Sequence, residues 1–374
     1  MINSNQVKPR HRLLSLIAAV SIWVFLLGCQ SDSAPSVDLC MPFDGLTPIC
    51  GFQSPEDLAV LPDNSGILIS EFGQMGDIAG QLSILSIADN SRSVLYSSAS
   101  HRQSRSAMPI WGDPSCPEPQ SFSPHGFDLT QRPSGRWQLL VVNHSDHERV
   151  EFFELDKDTA DHWSVTWRGC VQSEDDSIYN DVASVNDGFV VSRMMSNENT
   201  GLAMVNYLLG RDTGYVWRWH LASGFQPVEN TEGVMPNGVV ATKTGSKVFV
   251  NLYGEDKVRV VDTKNKAVLA ELDIISADNT NWDVSQKNKL IVASHEFNFR
   301  SMTNCMTGGD NNCQQPFEII ELDTVNYSQR SLVVSDGQFF GAATSAVRIG
   351  SNMYIGSFSG NRILIAPVGY GVVE

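Results

Sequence analysis

The chain has 374 residues and a formal net charge of −16, with 26 lysines and arginines against 42 aspartates and glutamates. Nucleic-acid binding is not expected, because the phosphate backbone is bound mainly through lysine and arginine. The acidic balance is consistent with solubility and with cation binding, but it specifies neither.

The N-terminus has the pattern of an export signal. Lys8, Arg10 and Arg12 precede the apolar run 13–28, which is too short to span a membrane comfortably. The run closes on Leu-Leu-Gly and Cys29, which resembles the bacterial lipobox, where the cysteine is lipidated after cleavage. A plain signal peptide or an uncleaved anchor is the alternative. We expect a signal peptide at 1–28, a lipidated tether at 29–45 and one domain at 46–374.

Six cysteines follow Cys29, and an even number in an exported chain predicts disulfides. Local loops favour the pairing Cys40–Cys50, Cys305–Cys313 and, over a longer range, Cys116–Cys170. Other pairings of the six remain possible. The chain contains no CxxC motif and no histidine close to the cysteines, so a zinc site is not expected.

The rest of the chain is predicted to form short strands. Apolar, β-branched runs recur with turn residues between them, and only 201–211 has the pattern of a short helix. A pair of strands recurs six times, its first strand preceded by polar residues and its second ending in Ser, Asn or His. Runs that suit a third strand occur at 216–220, 257–262, 317–322 and 362–366.

The spacing of these pairs averages about 57 residues, which leaves room for four strands in each repeat. Six such repeats predict an all-β fold, a six-bladed β-propeller with four-stranded blades. A strand around 48–52 is expected to close the ring, held by a Cys40–Cys50 disulfide. Long loops, which often carry function, are expected at 73–80, 101–120, 193–214 and 296–315.

Two histidines fall at matching ends of neighbouring strands in the second repeat. His125 begins one strand and His144 ends the next, so antiparallel pairing brings both side chains to the same end of the sheet. Histidine suits proton transfer near neutral pH. The alternative is that both are ordinary loop histidines. His101, His147, His162 and His220 are interpreted as surface or structural residues.

Polar residues precede the first strand of every repeat, and in a propeller they form a ring at one mouth of the central channel. Carboxylates and carboxamides are the hard oxygen ligands that calcium selects. A water-filled channel lined by asparagine is the alternative. Beside His125, the ring residues are Glu56, Asp57, Asn180, Asp181, Asn237, Asp278, Asn279 and Thr344.

Together these motifs resemble the paraoxonase/arylesterase family of calcium-dependent lactonases and, more widely, the gluconolactonase-like six-bladed propellers. They span nearly all of the predicted domain. The matching motifs are Glu56-Asp57, Pro124-His125-Gly126, VVNH at 141–144, Asn180-Asp181, Asn237-Gly238, Asp278-Asn279, Ser294-His295 and the stretch 341–356.

The resemblance implies two calcium sites. The catalytic calcium would be held by the side chains of Glu56, Asn180, Asn237, Asp278 and Asn279. The structural calcium would be held by Asp57, Asp181 and the backbone carbonyl of Phe127.

The resemblance also implies that His125 and His144 activate water and that His295 faces the active site. Such a centre would hydrolyse lactones or aryl esters: calcium polarises the carbonyl while the histidine dyad removes a proton from water. A non-catalytic, calcium-stabilised propeller that binds a partner through its loops is an alternative. A chemistry like that of the strictosidine-synthase group is another, which the two histidines disfavour.

Three further expectations complete the prediction. The segment 278–283 offers two registers; Asp278-Asn279 is preferred, and the other would place Asn281 in the ring after Thr280. The disulfide that joins the chain ends in the family is not expected, because no cysteine lies near Glu374. Gln30 after Cys29 favours an outer-membrane destination, with membrane attachment through the lipid. The other expected partner is a small lactone or ester substrate.

Overall fold

Antiparallel β-sheet forms nearly all of the described chain. The computed structural model describes residues 39–73, 79–98, 110–144, 147–296, 305, 313 and 315–372. The predicted signal peptide, the lipidated Cys29 and parts of the predicted loops 73–80, 101–120 and 296–315 lie outside the described residues.

The secondary structure comprises 24 strands, one α-helix and one turn of 3-10 helix within these ranges. In chain order the elements are β1 Thr47–Cys50, β2 Pro55–Val60, β3 Gly66–Glu71, β4 Gln81–Ser86, β5 Arg92–Ser97, β6 Pro124–Gln131, β7 Trp137–Asn143, β8 Arg149–Lys157, β9 Trp163–Gln172, β10 Ser177–Val185, β11 Gly188–Ser196, α1 Thr200–Leu208, β12 Tyr215–His220, β13 Gly224–Pro227, β14 Pro236–Ala241, β15 Lys247–Leu252, the 3-10 turn Tyr253–Glu255, β16 Lys257–Asp262, β17 Ala267–Asp273, β18 Ala277–Trp282, β19 Lys289–His295, β20 Phe317–Asp323, β21 Gln329–Ser335, β22 Ala343–Ile349, β23 Asn352–Ser357 and β24 Arg362–Pro367.

The strands form six four-stranded sheets, which are the blades of a six-bladed propeller. Blades one to five are consecutive meanders from β2 to β21, four strands each. Blade six takes β22, β23 and β24 from the C-terminal part and β1 as its outermost strand. Because β1 pairs with β24, with Thr47 opposite Ile365, the ring is closed by hydrogen bonds between the two ends of the domain, as predicted.

The second strand of each blade is sandwiched between neighbouring blades. In β7 the run from Leu139 to Val142 is fully buried on both faces of the sheet. A strand buried on both sides favours a continuous apolar run over strict alternation. Outer strands face solvent on one side, and Val268 and Leu269 of β17 are correspondingly exposed. This contrast explains why the second strands were the clearest in the sequence.

A β-bulge interrupts the pairing near the start of every inner strand. A bulge re-aims the side chains of the extra residues, and bulges concentrate next to active sites. Here the bulges turn polar side chains into the channel mouth. The polar residues left without a cross-strand partner are Glu56, His125, Asn180, Asp181, Asn237, Asp278, Asn279 and Thr344.

Two glycines in these bulges let neighbouring blades approach closely. A Cβ on Gly126 would lie 2.5 Å from Asp181 Oδ1, and one on Gly238 would lie 2.4 Å from the carbonyl oxygen of Asp278. Both distances are shorter than any side chain tolerates. Glycine is therefore required where the polar residues of adjacent blades converge.

All three predicted disulfides are present. Cys40–Cys50 lies beside the closing strand, Cys305–Cys313 closes a local loop, and Cys116–Cys170 ties the segment before β6 to β9. The predicted short helix is α1. Among the described residues, no helix combines the length and apolar character needed to cross a bilayer.

Candidate active site

The two histidines of blade two meet at the channel mouth. His125 Nδ1 lies 2.7 Å from His144 Nε2, and His144 Nδ1 lies 2.7 Å from Glu148 Oε1. The other oxygen of Glu148 accepts a hydrogen bond from the backbone N–H of Tyr179 in blade three. Phe72 packs against both imidazole rings and shields one side of the pair. The three side chains form a continuous relay from the half-buried Glu148 carboxylate to the channel.

The relay determines which ring nitrogens carry protons. A carboxylate only accepts, so His144 must donate from Nδ1 and accept at Nε2. His125 must then donate from Nδ1, which leaves its Nε2 as an acceptor facing the channel. That nitrogen lies 3.4 Å from Glu56 Oε1. His125 is thus oriented to take up a proton at Nε2, where the new charge would face a carboxylate.

A second network supports the segment that leads into His125. Asn143 Oδ1 accepts a hydrogen bond from the backbone of Ser123, and Asn143 Nδ2 donates to Glu151 at 2.9 Å. Glu151 also accepts from Trp167 and lies 3.5 Å from Arg149. Burial raises the pKa of Glu151 to about 7, although Arg149 opposes the shift.

This carboxyl is expected to make stability depend on pH. Its pKa is higher in the folded than in the unfolded chain, so its contribution to stability is complete below about pH 4 and is lost as the pH rises through about 7. Glu151→Gln removes the titrating group. The difference in the free energy of unfolding between the two proteins should therefore change by on the order of 3 kcal/mol as the pH rises from about 4 to about 7. Urea unfolding at several pH values measures it; parallel pH profiles of the two proteins would contradict the assignment.

Oxygen atoms from four blades converge beside His125. Asn279 Nδ2 donates to Glu56 Oε1 at 2.7 Å, across the channel between blades five and one. Four further oxygens are buried and have no hydrogen-bond partner: Glu56 Oε2, Asn180 Oδ1, Asn237 Oδ1 and Asn279 Oδ1. A buried acceptor without a donor is costly, and four in one cluster need a common partner. These five oxygens and Asp278 constitute what we call the mouth cluster.

Asp278 extends the mouth cluster toward His295. Burial, and then the charge of Glu56, raise the pKa of Asp278 well above its usual range. His295 Nδ1 lies 3.7 Å from Asp278 Oδ2, and its Nε2 lies 2.8 Å from the hydroxyl of Tyr253. Burial lowers the pKa of His295 to about 4, so this imidazole is neutral at physiological pH. His295 lies next to the cluster at the end of β19, so both pocket lining and a structural role at the strand end stay open for it.

The two aspartates predicted for a structural calcium lie on matching strands of alternate blades. Asp57 Oδ2 accepts from the backbone N–H of Phe127, and Asp181 Oδ2 accepts from that of Val239. Burial and the charge of Glu56 raise the pKa of Asp57 to about 7. Burial and then the charge of Asp57 raise that of Asp181 well above its usual range. Asp57 and Asp181 therefore join blades as hydrogen-bond acceptors, and in the absence of a cation their burial and neighbouring charges favour the protonated forms.

The donor set fits a hard cation. Among the described residues, no group of three or more His, Cys, Asp or Glu side chains is arranged to hold a metal ion. The mouth cluster instead combines two carboxylates, Glu56 and Asp278, with three carboxamides. Amide and carboxylate oxygens together are the ligands of calcium, whereas transition metals favour nitrogen and sulfur. The partnerless oxygens point to the same class of ion.

The structure also places Thr344 and the segment 278–283, for which the sequence offered two registers. Thr344 donates to the carbonyl of Glu56 at 2.6 Å, so it supports the cluster through the backbone. Asp278 and Asn279 lie in the cluster, whereas Asn281 donates to Ser345 further along the channel. The residues of the preferred register thus lie at the channel mouth, and their role as calcium ligands stays a prediction.

Sequence reasoning missed Glu148. It lies four residues after His144, beyond the strand, in a stretch with no motif of its own. An acidic residue at that distance from a candidate histidine was the available signal.

Residues 56–362 match the model of the arylesterase family. The chain belongs to the arylesterase family. Membership indicates hydrolysis of esters or lactones, and the family is typically calcium-dependent. No curated protein matches the chain in sequence.

Two of the solved structures similar to this arylesterase-family protein have low sequence identity to it, and the first shares its fold. A luciferin-regenerating enzyme is 12% identical, covering 87% of this chain and 96% of its own, with a TM-score of 0.50. A gluconolactonase from Xanthomonas campestris is 11% identical, covering 86% of this chain and 89% of its own, with a TM-score of 0.48.

Proposed function

We propose that this protein is a calcium-dependent hydrolase of lactones or aryl esters. One observation carries the proposal: four partnerless buried oxygens converge beside the open nitrogen of a His–His–Glu relay. A cation-binding cluster next to an oriented proton acceptor is the combination that ester hydrolysis needs. Family membership points to the same reaction class.

Glu56, Asn180, Asn237, Asp278 and Asn279 would hold the calcium ion, which when bound supplies a positive charge for the carbonyl oxygen of the substrate. His125 accepts the proton of the attacking water at Nε2. The bond from His125 Nδ1 to His144, and from His144 to Glu148, stabilises the imidazolium that forms. His125 then returns the proton to the alkoxide or phenolate that leaves, so the relay ends in its starting state.

A second calcium is proposed at Asp57, Asp181 and the carbonyl of Phe127. Both carboxyls are buried and already accept backbone hydrogen bonds from neighbouring blades. A cation there would offset their mutual repulsion, which otherwise favours the protonated forms. This site would act on stability rather than on the reaction.

Hydrolysis of an aryl acetate and of an aliphatic lactone, measured with and without a calcium chelator, tests the proposal. We expect activity on at least one class, loss with chelator and recovery on adding calcium but not magnesium, since magnesium requires a smaller octahedral site. Circular dichroism verifies that the protein remains folded. If folded, calcium-loaded protein hydrolyses neither class, while chelation still lowers its melting temperature, the non-catalytic propeller is the better description.

Export and lipid attachment at Cys29 are part of the proposal. Three disulfides support an oxidising compartment, because such bonds are rare in the cytosol. Cells that export the protein and are fed a labelled fatty acid should incorporate the label into the unaltered protein and not into Cys29→Ser. An unlabelled unaltered protein, or equal labelling of the two, would rule out the lipid anchor.

A further inference from the structure

The central channel opens into a large cavity at the mouth opposite the mouth cluster. Its volume is about 800 Å3, within the range of small-molecule sites. The last residues of the inner strands line it, including Val60, Gln131, Val185 and Ala241. Those strands begin at the mouth cluster, so the cavity lies at the other end of the channel. We call it the far cavity.

The far cavity has an apolar wall with an aromatic side. Valines and alanines of the inner strands form the channel part, and Trp111, Phe152 and Trp219 line its extension between blades two and three. Trp111 and Trp219 are nine-tenths buried in the protein but border this space. Such a wall suits the hydrocarbon or aryl body of a ligand.

Arg132 supplies positive charge to the same space. Its guanidinium lies 4.4 Å from the centre of the Trp111 ring and donates to the buried Gln138. Within the described part of the chain, no carboxylate lies at ion-pair distance from it; Glu154 nearby is paired with Arg136 and Arg168 instead. Three guanidinium groups thus share one carboxylate, in a protein of net charge −16. Burial and the charge of Arg136 lower the pKa of Arg132.

The acidic groups on the wall form no ion pair with Arg132. Asp128 and Asp181 line the cavity; Asp128 accepts from the backbone of Ser184 at 2.9 Å and Asp181 from that of Val239, and neither lies at ion-pair distance from Arg132. Asp187 at the rim is paired with Arg218. Arg348 is likewise paired, with Glu321 and Asp283. Arg132 and Lys243 both line the cavity without an ion pair among the described residues, and of the two Arg132 lies against Trp111.

We propose that the far cavity is a second small-molecule site, which binds an organic monocarboxylate with its carboxylate on Arg132 and its aryl or aliphatic body against Trp111 and the valine-lined channel. Arg132 rests on the Trp111 ring and donates one bond to Gln138, so other N–H groups remain for an occupant, and the planar fork of a guanidinium matches the two oxygens of a carboxylate. The site is separate from the mouth cluster and does not depend on the proposed hydrolysis.

Titration with phenylacetate, followed by tryptophan fluorescence and calorimetry, tests the site. We expect saturable binding that weakens about tenfold or more in Arg132→Gln, because a charge-assisted pair is lost. The matched control Arg136→Gln removes an equal charge outside the cavity and should weaken binding less than about threefold. Glu56→Gln, which disables the mouth cluster, should bind phenylacetate as tightly as the unaltered protein.

A neutral analogue separates lost charge from a damaged fold. Phenylacetamide should bind the unaltered protein and Arg132→Gln equally, since it cannot use the guanidinium charge. Failure of phenylacetate to bind saturably overturns the proposal. Equal weakening of both ligands in Arg132→Gln also overturns it. Loss of phenylacetate binding in Glu56→Gln without loss in Arg132→Gln overturns it as well, because the ligand would then lie at the mouth cluster.

Discussion

Glu56→Gln is expected to lower kcat for both substrate classes by about a thousandfold or more. The substitution keeps the shape of the side chain but removes the charge at the centre of the mouth cluster. Glu56 contributes one partnerless oxygen, accepts from Asn279 and faces His125 Nε2 at 3.4 Å. Neutral glutamine weakens cation binding and no longer stabilises the proton that His125 gains.

Glu71→Gln is the matched control, because Glu71 is another fully buried glutamate of blade one. Its carboxylate accepts from Gln81 and Arg92 of the same blade and is not one of the mouth-cluster oxygens. That change should lower the melting temperature while kcat per folded molecule stays within about threefold. The measurement is kcat with calcium saturating, alongside calcium affinity by calorimetry. Equal activity in Glu56→Gln and the unaltered protein would exclude Glu56 from the catalytic centre.

The six-bladed architecture could be predicted from the sequence because burial and side-chain pattern coincide in the inner half of each blade. Runs such as 139–142 lie between two blades and must be apolar, and polar residues must precede the first strands, where the bulges open into the channel. The outermost strands are different. β13 has four residues, and its two central side chains, Phe225 and Gln226, carry little strand pattern. Its existence depends on pairing with β12, which sequence alone does not reveal.

The candidate site was predictable only in part for a related reason. His125, His144 and the mouth cluster stand in motifs tied to strand ends, so their meeting follows from the topology. Glu148 lies between β7 and β8 and contacts His144, and its second oxygen accepts from the backbone of Tyr179 in the next blade. Trp111 meets Arg132 because the Cys116–Cys170 disulfide and the backbone of β9 place the segment of Trp111 against blade two. Contacts between loops and blades have no periodic signature.

His125→Ala is expected to lower kcat by about a hundredfold to ten-thousandfold, the range for loss of a general base. His144→Ala should cost a comparable factor, because without it His125 Nδ1 loses its acceptor at 2.7 Å and the ring loses its orientation. The double variant should be little worse than either single one, since residues that act as a unit are strongly non-additive. Calcium affinity should stay near that of the unaltered protein in all three. Additive losses, or full activity in His125→Ala, would show that the pair is not the proton acceptor.

Glu148→Gln tests the end of the relay with a smaller change. Glutamine still fits between His144 and the backbone of Tyr179, but it can present an amide N–H to His144 Nδ1 and reverse the tautomers of both rings. His125 Nε2 would then carry the proton that it must be free to accept. We expect kcat to fall by about tenfold to a hundredfold with KM nearly unchanged, and the loss to vanish in the His144→Ala background. If Glu148→Gln lowers kcat equally in the unaltered and the His144→Ala backgrounds, Glu148 has a purely structural role. In a relay, the effect of Glu148 on the water must pass through His144.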